Sequence, residues 1–235
     1  MMQAHICGIG WVDAAGPADG RCGRAFCPPA GALPRVTRKQ VFAAADQRFN
    51  RLDDFSRTGL AGAVFALRDA GLQPGEARRE IALVAASDSG CVHADVEYFD
   101  TVVPAAGALA SPNIFAYTLP NSFLGEIAIR FGLTGPAFVL NPAGGGDLGA
   151  VTTALGLLAD GACEAAVAGA CHLPWPEGMD QPAPGFAGAL FFVLAPEPLG
   201  DRAVYGAVAE HEHGVTCNGT PCRELIDLLT HATLP

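Results

Sequence analysis

Gly135-Pro136-Ala137-Phe138-Val139-Leu140-Asn141-Pro142-Ala143-Gly144-Gly145-Gly146-Asp147-Leu148-Gly149-Ala150 is the stretch on which the reading of this chain turns. Residues 137–140 are a short apolar run of β-formers, and Asp147 opens a helix whose Leu148, Val151, Leu155 and Leu158 recur at helical spacing. Between them the three glycines make a tight strand-to-helix turn. A turn of this shape lifts one side chain over a helix N-terminus, where unpaired N–H groups and the positive dipole end stabilise a thiolate or an oxyanion. Here the turn has the shape and no nucleophile.

Outward from it, Ser111-Pro112 and the run Pro120-Asn121-Ser122-Phe123-Leu124-Gly125-Glu126-Ile127-Ala128-Ile129-Arg130-Phe131-Gly132-Leu133-Thr134-Gly135-Pro136 resemble the N-terminal half of β-ketoacyl synthases of the thiolase superfamily. Upstream, Arg51-Leu52-Asp53-Asp54-Phe55-Ser56-Arg57 leading to Leu67-Arg68-Asp69-Ala70-Gly71-Leu72 is similar to that family's early helix. Downstream, Leu157-Leu158-Ala159-Asp160-Gly161 to Val167-Ala168-Gly169-Ala170 is similar to its helix and strand after the nucleophile. The resemblance implies an α/β thiolase-like half-fold, a mostly parallel mixed sheet with helices on both faces, as one β-ketoacyl synthase-like domain over residues 1–235.

Laid on the family's elbow, Gly144 falls where the acyl-accepting cysteine belongs, and glycine cannot hold a thioester. The family's two later histidines, which assist decarboxylation, belong to a C-terminal half that a sequence ending at Pro235 is expected to lack. Loss of a covalent nucleophile removes the two-step path outright. The resemblance therefore implies a subunit that does not condense alone, like the chain length factors that pair with an active ketosynthase and shape its acyl tunnel. Short ketosynthase-like subunits of bacterial aryl polyene biosynthesis are similar in length. The implied partners are a full-length ketosynthase or a second copy of the chain, and indirectly an acyl carrier protein; no cofactor is implied.

Asn141, Gly144, Gly145, Gly146 and Asp147 are the candidates for contact with an acyl group. The glycine turn reads either as a backbone cradle for a carbonyl or anion, or as a side-chain-free crossing where another backbone or a partner's acyl chain approaches. Asp147 favours the crossing, because its carboxylate would already satisfy the helix N-terminus. Phe115, Tyr117, Phe123 and Phe138 are candidates for the tunnel or interface, with the core as their alternative.

Two other chemistries are open. Ser87-Asp88-Ser89-Gly90-Cys91 with His93 sets nucleophile types beside a base, although no Gly-x-Ser-x-Gly elbow accompanies them. His211, His213 and Cys217 alternate in a way that suits zinc on one strand face, yet the spacing matches no familiar site. The leading reading therefore assigns no metal. The eight cysteines contain no Cys-x-x-Cys pair and read as small buried hydrophobes.

A net charge of −10 argues against nucleic acid or an anionic membrane as partner. The only basic stretch, Arg21, Arg24, Arg35, Arg38 and Lys39, reads as a carrier-protein contact or as a solvated loop. Half the residues are hydrophobic and only 16% are charged, more apolar than a monomer's surface needs, which points to a partner. Met1 to Val12 lacks a basic n-region and no apolar run reaches bilayer length, so a cytoplasmic protein without a membrane span is expected. Strands are expected at 5–12, 81–86, 165–169, 189–194 and 203–209. Helices are expected at 121–131 and 147–159, with another at 221–231 capped by Thr220 with Pro221 at its first position.

Overall fold

β3 (Ile81–Ala86) is apolar and buried at every position, as a strand covered on both faces must be. The computed structural model describes residues 2–28, 33–75, 77–142, 146–179, 186–212 and 214–233. Before β3 come β1 (Gln3–Asp13), β2 (Gly16–Asp19), α1 (Arg38–Val41) and α2 (Asp54–Asp69). After it come α3 (Val92–Val102), α4 (Pro112–Phe115), α5 (Ser122–Phe131), β4 (Ala137–Leu140), α6 (Leu148–Ala159) and β5 (Ala165–His172). β6 (Gly188–Ala195), β7 (Ala207–His211), β8 (Gly214–Cys217), β9 (Thr220–Pro221) and α7 (Leu225–His231) complete the order.

The strands form one sheet in the order β4-β3-β5-β6-β1-β7-β8-β9, with β2 beside β1. The expected α/β half-fold is present, but the expected balance of the sheet is not. Among the described residues only β4 and β5 run parallel to their neighbour β3, and the other pairings between named strands are antiparallel. The reason lies in the connections: helical crossovers join β3, β4 and β5, whereas β1 with β2, and β7 with β8 and β9, are joined by short turns that can only reverse the chain.

Alternation along the strands sends side chains to two cores. Leu83, Ala85, Val167, Phe191 and Val193 meet α2 and α5; Ala82, Val84, Ala166, Ala168 and Phe192 meet α6 and α7. α2 lies so close to β1 that a Cβ at Gly8 or Gly10 would strike the backbone around Ala66. Asp53 starts α2 by accepting the Ser56 N–H at 3.1 Å, and Gly71 ends it at φ 86°. α5 buries Phe123, Leu124, Ile127 and Phe131 on the same face, each worth about 1.5–3 kcal/mol relative to exposure.

Two local expectations are corrected. The final helix does not begin at Pro221, because Thr220 and Pro221 pair with Cys217 and Thr216 as β9; Glu224 caps α7 instead, sharing a capping box with Asp227. The strand expected at 203–209 starts at Ala207. Tyr205, just before it, is pulled into the core, its hydroxyl donating to Asp69 Oδ2 at 2.7 Å.

The basic stretch divides: Arg21 and Arg24 are tied to buried carboxylates, whereas Arg35 and Lys39 are exposed. Arg21 is ion-paired with buried Asp69, Arg24 with fully buried Asp13, and Arg35 with Asp54. Arg38 donates to the carbonyls of Phe42, Ala43 and Ala44. Arg21 and Arg24 staple the segment after β2 to buried carboxylates at the end of α2 and of β1.

Candidate functional site

β4 delivers the chain to Asn141 and Pro142 at its C-terminal end, and α6 begins at Leu148. Gly144 and Gly145 lie outside the described residues. Gly146 is exposed at φ 71°, with open space where a Cβ would stand. Asp147 occupies the N-cap position in an αR conformation, and its side chain caps no N–H of α6. The expectation that its carboxylate caps the helix is therefore replaced by a different contact.

Both Asp147 carboxylate oxygens lie 3.0 Å from Nε2 of His172, which is fully buried at the end of β5. The Asp88 N–H, 3.4 Å from Nδ1, donates to that nitrogen, so the ring proton sits on Nε2 and is given to Asp147. The Asp88 carboxylate lies 3.9 Å from Nδ1, and Phe186 packs edge-on against the ring at 5.3 Å. His172 thus ties the start of α6 to the loop after β3. Sequence reasoning missed it; the available signal was a lone histidine closing the apolar run 165–171, one strand over from an aspartate at the glycine turn.

Asn141 borders a small cavity of about 210 Å³ with Ser87, Asp88, Cys91, Pro120 and Leu140. Burial, and then the Asp95 carboxylate at 3.6 Å, push the Cys91 thiol up to about 12. At neutral pH it is a thiol, not a thiolate, and therefore a poor nucleophile. His93 is not its base: the ring Nε2 lies 2.7 Å from the Pro174 carbonyl. Ser89 Oγ donates to the Leu173 carbonyl at 3.5 Å.

The zinc candidates are not assembled either. His211 is exposed at the end of β7, whereas Cys217 is buried with its thiol on the Leu228 carbonyl, and His213 lies outside the described residues. Among the described residues no group of three or more His, Cys, Asp or Glu is placed to hold a metal.

The aromatic candidates separate. Phe123 is a core residue, fully buried edge-on between Phe55 and Phe191, which corrects its reading as a tunnel or interface side chain. Phe138 is half-buried on β4 against the α6 core. Phe115 is 58% exposed and leans on Tyr98 at 5.3 Å. Tyr117 is half-buried and lines a cavity of about 760 Å³ with Leu52, Asp53, Ile114, Leu173 and Trp175. Burial pushes the Tyr117 phenol up, aided by Glu126 and Asp53. Burial likewise raises the Asp53 carboxyl, whose Oδ2 has no hydrogen-bond partner among the described residues.

β4 and α6 stand where the sequence motif foretold a strand and a helix, on either side of the glycine turn. Residues 22–179 match the β-ketoacyl synthase, N-terminal domain, family. The chain belongs to that family.

Solved structures similar to this ketoacyl synthase N-terminal domain include the ishigamide ketosynthase/chain length factor, 15% identical with a TM-score of 0.66 over 88% of this chain and 62% of that one. A second is the ketosynthase ApeO in complex with its chain length factor ApeC from Xenorhabdus doucetiae, 15% identical, TM-score 0.59, covering 84% and 81%. A third is AntDE:AntF, a type II acyl carrier protein in complex with its ketosynthase bound to the hexaketide, 15% identical, TM-score 0.60, covering 83% and 62%. At these identities the likeness is one of fold. The chain spans about three fifths of the length of the first and third of these. No curated protein matches it. No helix among the described residues is long and apolar enough to cross a membrane.

Proposed function

We propose that this domain is a non-catalytic, chain length factor-type subunit that pairs with an active β-ketoacyl synthase in fatty acid or polyketide assembly of the aryl polyene kind, and helps bound the acyl tunnel. In this reading residues 1–235 act as one cytoplasmic domain and meet the acyl carrier protein only through the complex. The observation that carries it is the elbow. β4 and α6 are kept, and in the sequence Gly144 falls where the family's nucleophile is expected. The ionisable side chain at the helix start, Asp147, is held by buried His172 rather than offered to a substrate.

Two open surfaces support a partner. β4 is an edge strand, and α6 turns Gly149 and Gly156 toward open space. A free-standing enzyme built on Cys91 is disfavoured by its protonated, buried thiol.

The test is co-expression with the ketosynthase encoded nearest to this protein's gene, followed by size-exclusion chromatography with light scattering. A stable complex containing one copy of each chain is expected. A homodimer that ignores the ketosynthase would move the assignment to a structural scaffold.

A further inference from the structure

His172 is the only fully buried histidine among the described residues, and it stands between carboxylates carried by two different elements. From the start of α6, Asp147 sets both carboxylate oxygens 3.0 Å from Nε2. From the loop between β3 and α3, Asp88 faces Nδ1 twice over, with its N–H at 3.4 Å and its carboxylate at 3.9 Å. The other elements around the ring bring no charge to it. Phe186 packs edge-on from before β6, and on β5 itself the Cys171 thiol is turned to the Phe55 carbonyl. His93, on α3, is engaged with the Pro174 carbonyl. Among the described residues neither carboxylate is paired with a lysine or arginine.

The two contacts of Asp88 cannot both be used at once. Nδ1 accepts the amide N–H only while it carries no proton itself. A proton taken from water onto Nδ1 turns that nitrogen into a donor, which then points at another donor. The amide must swing away, and the carboxylate of the same residue, 3.9 Å off, is placed to take its position. Closing to a charge-assisted hydrogen bond of about 2.8 Å needs a shift of roughly 1 Å. No other bond changes: the ring gains one positive charge and finds a carboxylate on each side of it. Burial opposes an imidazolium, and two adjacent carboxylates favour it.

The loop is built so that this shift stays local. On one side of Asp88 the Ser87 hydroxyl accepts the Gly90 N–H at 2.9 Å; on the other Ser89 Oγ donates to the Leu173 carbonyl at 3.5 Å. Gly90 takes φ 52°, and Cys91 follows it as the N-cap of α3. Between these ties the Asp88 side chain is 39% exposed, free to turn toward water or toward the ring. Asp88 also lines the cavity of about 210 Å³ that Asn141 borders at the end of β4. Its position therefore shapes the wall next to the glycine turn.

We infer that His172 is a proton-operated latch: uptake of a proton at Nδ1 moves Asp88 from an amide-bonded to a carboxylate-bonded position and reshapes the cavity beside Asn141, while Asp147 holds the start of α6 in both states. Histidine is the side chain whose charge ordinarily changes between about pH 5 and 8, and a switch needs two arrangements that the charge tells apart. The latch goes beyond the subunit role proposed above and does not depend on it.

Its test is nitrogen NMR on the full chain labelled with 15N, followed from about pH 8 to about pH 5.5. At the upper end the His172 Nδ1 is expected to resonate as an unprotonated acceptor, with the Asp88 amide protected from hydrogen exchange. At the lower end both ring nitrogens should carry protons. Protection of the Asp88 amide, corrected for the intrinsic pH dependence of exchange, should then fall about tenfold. Asp88→Ala keeps the amide N–H and removes the carboxylate at a partly exposed site, and circular dichroism confirms that it folds. In that variant protonation of Nδ1 should need about ten times the proton concentration.

A ring that keeps a single proton across the whole range overturns the inference. So does protonation that leaves the Asp88 amide as protected as before, or an Asp88→Ala variant that titrates together with the wild type.

Discussion

α3 and α5 are helices of similar length, 11 and 10 residues, separated by fewer than twenty residues, and they are used in opposite ways. α5 buries Phe123, Leu124, Ile127 and Phe131 against α2 and the sheet; α3 buries Ala94 alone. Both carry large apolar residues, although α3 sets Asp95, Glu97 and Asp100 among them. The difference is where the topology leaves them: α5 crosses over the sheet to deliver the chain to β4, whereas α3 belongs to an excursion beyond the C-terminal ends of the parallel strands. α5 therefore serves this chain's stability, whereas α3 leaves its large apolar residues at the surface.

The sharpest way to break that contrast is truncation in α5 and in the excursion that contains α3 and α4. Phe123→Ala empties a fully enclosed site between Phe55 and Phe191, and a loss of about 3–5 kcal/mol is expected in urea unfolding. Phe115→Ala on the excursion should stay within about 0.5 kcal/mol of wild type in the same experiment. Equal losses would mean that the excursion has a core of its own.

Next in size is the staple that holds the segment after β2. Asp13 is fully buried; burial alone would raise its carboxyl, but the Arg24 guanidinium and the N–H groups of Cys27 and Ala15 outweigh this and hold it below the ordinary value. Arg24→Ala should cost about 1.5–3 kcal/mol at neutral pH. A carboxyl lowered in the folded state adds stability above its unfolded value near 3.8 and loses it as pH falls through the folded one. Wild-type melting temperature should therefore drop between pH 5 and pH 3, and the drop should be smaller in Arg24→Ala.

The elbow lies between the two regions and gives a smaller effect. Asp147→Ala leaves the buried Nε2–H of His172 unpaired, at an expected cost of about 1–3 kcal/mol. Asp147→Asn keeps an acceptor and should recover most of it in thermal denaturation. If both variants match wild type, the His172 contact does not hold the elbow.

Much of this architecture was legible in the sequence. The apolar runs 81–86 and 137–140 became β3 and β4 without adjustment, because a continuous β-forming run bounded by turns leaves little choice. Local punctuation misled where pairing overrode it: Thr220-Pro221 reads as a helix start, yet hydrogen bonding to β8 claimed it for a strand. The site was half legible. The expectation at Gly144 falls outside the described residues, and His172 and Asp147 are 25 residues apart and meet only because β5 lies beside β3 and α6 returns over both. Phe123 could not be told from Phe138 by residue type; only the packing of α5 separates a core ring from one on an open strand.

The central claim, that this domain shapes condensation by a partner without catalysing it, is tested most directly by a reconstituted elongation assay read by mass spectrometry. The nearest-encoded ketosynthase, its acyl carrier protein and malonyl units would be incubated with wild type, with Phe138→Ala, or with neither. The account predicts no condensation by this chain alone, elongation by the ketosynthase that depends on its presence, and a shifted product length with Phe138→Ala. Condensation by this chain alone, or a ketosynthase whose rate and product length are the same with and without it, would contradict the account.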